Sequence, residues 1–127
     1  MVQKKKLVHK FPDLHEAQLK VAKSEARWKI LCAGRRFGKT RLGVQMCLET
    51  ALQGKRAWWV APTYTIARVG WRDILSAARS YPEENQPEIS LVNMEVKFPW
   101  CNGSIAVRSA DTPHRLRGEG LDFLVLD

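Results

Sequence analysis

Consecutive residues Cys32-Ala33-Gly34-Arg35-Arg36-Phe37-Gly38-Lys39-Thr40 combine small side chains, cations and a hydroxyl, a set suited to holding a chain of phosphates. The spacing is that of a phosphate-binding loop, glycine, four residues, then Gly-Lys-Ser/Thr, with Ala33 where the first glycine usually stands. Such a loop wraps backbone N–H groups around the anion, and the helix after it adds the positive end of its dipole. Lys39 would reach the outer phosphates and the Thr40 hydroxyl would ligate Mg²⁺. Alanine harms this loop only if position 33 needs a positive φ, and Gly34 is there to carry such a turn. The contact set is Ala33, Gly34, Arg35, Arg36, Phe37, Gly38, Lys39, Thr40 and Arg41, with ATP and Mg²⁺ as the expected ligands.

A second acidic partner is expected at the far end of the chain. The apolar run Leu121 to Leu126 stops at Asp127, which places a carboxylate at a strand tip where it can hold Mg²⁺ directly or through water. Asp122 precedes most of that run and would sit at the opposite end of the strand. Gln18, shortly before the loop, offers a donor and an acceptor that could read an adenine edge. His9, His15 and His114 have no Cys or His neighbours at metal spacing, and no Ser-His-Asp order stands out.

The elements that must position these residues follow from periodicity. Asp13 and Glu16 form a capping box opening a helix to about Arg27, with Leu14, Ala17, Val21 and Ala22 on its apolar face. Trp28 to Cys32 predicts the first core strand, leading into the loop. A helix from Lys39 runs through Leu42, Met46, Cys47 and Ala51 to a stop at Gly54. Ala57 to Ala61 reads as a strand covered on both faces, and helix, strand, loop, helix, strand is the pattern of a βαβ unit. The turn Ala61-Pro62-Thr63 stands at the carboxyl end of that strand, the edge where such sheets bind ligands.

Another helix is expected from about Thr65 to Ser80, with Arg68, Arg72 and Arg79 on a cationic side. Then the period changes to two: Ile89 to Val92, Met94 to Phe98 and Ile105 to Arg108 read as strands, and Asn102-Gly103 as a hairpin turn. Pro99 places that hairpin toward an edge. The fold class is α/β: a phosphate-loop NTPase, mainly parallel sheet flanked by helices, with a β-hairpin toward the edge.

The 127 residues suffice for one domain with a core. Lys and Arg outnumber Asp and Glu by 21 to 13, a formal charge of +8, which favours a partner rich in phosphates. Residues 1–10, with Lys4-Lys5-Lys6, form a basic arm, and 11–127 the ATPase portion. Cys32, Cys47 and Cys101 are far apart, so neither a zinc site nor a disulfide framework is indicated, and a reducing setting fits. No apolar run approaches the ~20 residues needed to cross a bilayer.

With these pieces placed, the sequence resembles the large terminase subunit of tailed bacteriophages and related prophages. The resemblance rests on Leu14-His15-Glu16-Ala17-Gln18, the loop Ala33 to Thr40, Val60-Ala61-Pro62-Thr63-Tyr64 with Arg68 and Trp71, and Leu116-Arg117-Gly118 before Leu121 to Asp127. It implies an ATPase that drives double-stranded DNA into a procapsid, in the host cytoplasm. It also implies as partners a portal protein, a small terminase subunit and copies of itself in a ring, with no membrane. On the same grounds Gln18 contacts adenine, Lys39 and Thr40 serve phosphate and Mg²⁺, and Asp127 serves the metal. Either Arg35 or Arg36 enters the ATP site, and Arg117 couples the site to its surroundings. A guanidinium fork suits the charge that spreads over a transferring phosphoryl group. The chain stops at Asp127, where the family continues with a glutamate and a nuclease domain. A truncated, weakly hydrolysing piece of the ATPase domain is therefore expected. Two other readings stay open: a helicase-type phosphate-loop ATPase, and a basic DNA-binding module that does not hydrolyse.

Overall fold

The computed structural model describes residues 14–34, 36–111, 113–116, 118 and 120–127. The expected basic arm, Asp13, Arg35 and Arg117 lie outside them. Among the described residues three α-helices, α1 (Glu16–Lys23), α2 (Lys39–Leu52) and α3 (Tyr64–Arg79), accompany five strands. The strands are β1 (Arg56–Ala61), β2 (Glu88–Ser90), β3 (Glu95–Phe98), β4 (Gly103–Ser109) and β5 (Phe123–Leu126). They form one sheet in the order β2-β3-β4-β1-β5. β1 is central and pairs in parallel with β4 on one side and β5 on the other, while β2-β3 and β3-β4 are antiparallel.

Alternation along β1 decides which face is covered. Ala57, Trp59 and Ala61, with Ile105 and Val107 of β4, pack under Val44, Cys47, Leu48 and Ala51 of α2 and Ala67, Trp71, Ile74 and Ala78 of α3. Each fully buried Leu, Ile, Val or Phe here contributes about 1.5–3 kcal/mol relative to exposure. The other face carries Trp58, Val60 and Ala106, against which Leu116 and Leu121 pack.

Glycines let the two helices close on the centre of this core. A Cβ at Gly70 of α3 would lie 2.5 Å from Trp59 Cε2, and one at Gly43 of α2 would lie 2.7 Å from Trp59 Cζ3. The indole is held between two helix backbones because neither position carries a side chain. α2 runs antiparallel to the parallel strands: Gly43 meets Trp59 and Val125, whereas its last turn meets the start of β4, where a Cβ at Gly103 would lie 1.6 Å from Ala51 O. The N-terminus of α2 therefore stands at the carboxyl end of β1 and β5, the ligand-binding edge of such sheets.

The hairpin prediction is met, with β3 and β4 joined through Asn102 at φ 63° and β3 second from the β2 edge. α3 starts one residue earlier than expected, because the Thr63 hydroxyl accepts from Ile66 N at 3.3 Å and caps it. Ile89 to Val92 shortens to β2, leaving Leu91 and Val92 exposed.

Two expectations need correction. Residues 28–32 form no strand, and Trp28 and Ile30 are 80% and 93% exposed. An apolar run becomes a strand only beside a ladder partner. Both edges of β1 are taken, by β4 and β5, and residues 28–32 do not join the remaining edge of β5. The first helix is also shorter, ending at Lys23, and its cap is His15. Its packed face centres on Gln18, 3% exposed, while Ala17 is exposed.

Candidate functional site

The site grows from the junction between residues 32–38 and α2. Gly38, at φ 87°, turns the chain into the helix, and its carbonyl accepts the first helical bond from Leu42 N at 3.0 Å. Glycine adopts that left-handed conformation without the penalty a Cβ brings. Among the described residues no side chain caps α2, and no acid lies in its first turn. The leading N–H groups of a 14-residue helix are thus left without a side-chain acceptor, the arrangement that receives anions.

The left-handed turns of the loop stand at Arg36 (φ 68°) and Gly38, whereas neither Ala33 nor Gly34 has a positive φ. Alanine is therefore tolerated at 33, and the turn expected at Gly34 is made two residues later. A bond from Phe37 N to Gly34 O, 3.4 Å long, closes the curve. Lys39 Nζ donates to Ala33 O at 2.8 Å, so the ammonium crosses the loop and lies against its opening residue. Arg36 and Arg41 are exposed, and Thr40 is partly buried on the first turn of α2.

α1 braces the loop from behind. The Gln18 amide is engaged at both ends: Oε1 accepts from His15 N at 3.0 Å, and Nε2 donates to Gly38 O at 3.0 Å and Phe37 O at 3.3 Å. An adenine contact would require this amide to leave the loop. The fit is close, since a Cβ at Gly38 would come within 2.4 Å of Gln18 Nε2. His15, given no role of its own in the sequence beyond a place in Leu14-His15-Glu16-Ala17-Gln18, touches the loop as well: Nε2 lies 2.7 Å from Phe37 O, and the two rings meet edge to face at 4.9 Å. The spacing His15-Glu16-Ala17-Gln18, a capping box with histidine at its head, is the sequence signal for the cap, though not for the contact with Phe37. It was missed because histidine is not among the usual capping residues.

Across the sheet, Asp127 follows β5 and donates its N–H to Val60 O at 2.9 Å, so it stands at the carboxyl end of the parallel strands. Thr40 lies one turn before Gly43, which rests over Val125, so Thr40 and Asp127 share that end. Asp122 lies at the other end, its carboxylate accepting from Arg56 N at 3.0 Å. Tyr64 and Arg68, one turn apart on α3, stack with the guanidinium 5.7 Å from the ring centre. No helix of the described residues is long and apolar enough to cross a membrane.

No family model matches the chain. It is 28% identical, over 131 residues, to the large terminase subunits of Thermus phage G20c and Thermus virus P23-45, covering 89% of this chain and 27% of each relative. The chain thus spans about a quarter of the length of these curated relatives. Among solved structures it is similar to the large terminase ATPase domain of Thermus phage P74-26, with a TM-score of 0.73 at 24% identity, over 89% of this chain and 52% of that one. An arginine-to-alanine mutant of that domain gives the same TM-score at 23% identity. The chain has the fold of a phage large terminase ATPase domain and resembles large terminase subunits in sequence.

Proposed function

We propose that this chain is the nucleotide-binding part of a DNA-packaging motor, holding Mg²⁺-ATP between the loop and the carboxyl end of the sheet. The observation that carries this reading is the junction itself. Trans peptides point C=O and N–H in opposite directions, so drawing the carbonyls of Phe37 and Gly38 toward α1 turns the N–H groups of Gly38 and Lys39 the other way. Those two groups, the open start of α2 and the Lys39 ammonium would surround the phosphates.

Lys39 would exchange the Ala33 carbonyl for phosphate oxygens. Thr40 and Asp127, at one end of the sheet, are the residues that would hold Mg²⁺, which supplies charge neutralisation on the phosphates. An arginine, Arg35 or Arg36, would add a planar fork to the charge that develops on the transferred group. Coupling to double-stranded DNA, and assembly with a portal, a small subunit and further copies, follow from the resemblance, and the +8 charge supports the DNA partner.

Titration calorimetry with Mg²⁺-ATP tests the reading. Lys39→Ala should lower affinity at least tenfold, about 1.4 kcal/mol, in a protein whose circular dichroism is unchanged. Equal affinity in the folded variant refutes it. Double-stranded DNA affinity measured with and without Mg²⁺-ATP addresses the motor: a response to nucleotide is expected, and indifference favours a simple basic module.

A further inference from the structure

We propose that His15 is a positioning residue of the nucleotide site, linking the start of α1 to the phosphate loop; this rests on the nucleotide-binding reading above. The ring nitrogens have separate tasks. Nδ1 faces Gln18 N at 3.3 Å and accepts its N–H, capping α1. Nε2 therefore carries the proton, and it donates to Phe37 O at 2.7 Å. One neutral imidazole thus ends a helix and holds a loop carbonyl.

His15 acts on the loop a second time through its backbone. Its N–H donates to Gln18 Oε1, which fixes which end of that amide faces the loop and directs Nε2 at Phe37 O and Gly38 O. Phe37 O consequently takes two donors from α1, and the peptide it belongs to is held with the Gly38 N–H pointing away from α1. The Phe37 ring against the imidazole edge keeps the two parts in register. Without the imidazole donor Phe37 O keeps only the longer bond from Gln18, and the peptide whose N–H should meet phosphate is held less firmly. His15 touches no phosphate itself; it acts through Phe37 and Gly38.

Two substitutions separate the tasks because each copies one nitrogen. Asparagine places an oxygen the same number of bonds from Cβ as Nδ1, and it is a good helix cap, but it stops short of Phe37. Glutamine places an amide nitrogen the same number of bonds from Cβ as Nε2, and it is a poor cap. The measurements are Mg²⁺-ATP affinity by calorimetry and the thermal midpoint for the wild-type chain, His15→Asn and His15→Gln. In His15→Asn we expect the midpoint to hold while ATP affinity falls about fivefold, the scale of one neutral hydrogen bond. In His15→Gln we expect a lowered midpoint with affinity restored to within about twofold of wild type.

Wild-type affinity in His15→Asn overturns the proposal, because the imidazole then serves the helix only. Affinity that falls in step with the midpoint in both variants overturns it equally. Absence of Mg²⁺-ATP binding by the wild-type chain is a different failure: it removes the nucleotide reading and this role with it.

Discussion

Gln18 illustrates how a buried amide constrains what a residue can do. At 3% exposure, with Oε1 and Nε2 both bonded to backbone, it holds the loop, and reading a base would require those bonds to break. Gln18→Ala should therefore weaken Mg²⁺-ATP and Mg²⁺-GTP alike, by roughly tenfold each, since more than one neutral bond is lost. A change in the ATP to GTP preference, measured by competition titration, would instead return Gln18 to reading adenine. Cys47 gives a second residue-scale prediction. Burial pushes its thiol from 9.0 up to about 12, so the unfolded chain releases this proton well before the native one does. Stability from this group is complete below pH 9 and is lost as pH rises toward 12, at up to about 1.4 kcal/mol per pH unit. Urea midpoints should fall above pH 9 and fall less steeply in Cys47→Ala. Tyr81, raised from 10.0 to about 12 by burial and then by the Cys101 charge, retains part of the slope in that variant.

The elements differ in how far they can be read from the chain, and the reason is range. The loop and the starts of α2 and α3 depend on residues within a few positions of one another, so spacing alone finds them to within a residue. The β3-β4 hairpin is equally local, set by Asn102-Gly103. Segment 28–32 failed because a strand is defined by its neighbour, and no local pattern says which neighbour is present. His15 failed for a third reason: its role needs Phe37, 22 residues away, which only folding brings near. Helix closure onto the sheet was likewise invisible, since nothing in a sequence marks a glycine as the seat of an indole. Gly103→Ala should be among the most damaging small changes, because its Cβ would strike the Ala51 carbonyl, a backbone atom that cannot swing aside. A loss of about 2 kcal/mol or more in chemical denaturation is expected. Loss below 0.5 kcal/mol would mean that α2 sits farther from β4.

At the scale of the molecule, α2 and α3 cover one face of the sheet, while Leu124 and Leu126 of β5 are 43% and 74% exposed. Among the described residues β5 pairs on one side alone, and such a strand edge carrying leucines invites pairing with another chain. If the chain self-associates through this edge, Leu126→Lys should reduce that association in analytical ultracentrifugation. The excess of cations acts over the same scale. If the chain grips DNA through phosphates, the logarithm of affinity should fall linearly with the logarithm of salt, with a slope of roughly −3 or steeper for three or more contacts.

The central position of β1 has a consequence in time. Ala57 pairs with Ile105 on one side and Phe123 on the other, so the strand at the middle of the sheet is made early and completed last. During synthesis its backbone donors and acceptors wait, first for β4 and then for β5, and the loop and α2 emerge well before the strands that flank β1. Closing such distant pairings is slow, because the entropy of ordering the intervening chain is lost before the ladder forms. A nascent chain halted between β4 and β5 would hold the Trp59 core but leave one side of its central strand bare, the state in which chaperone capture would matter most.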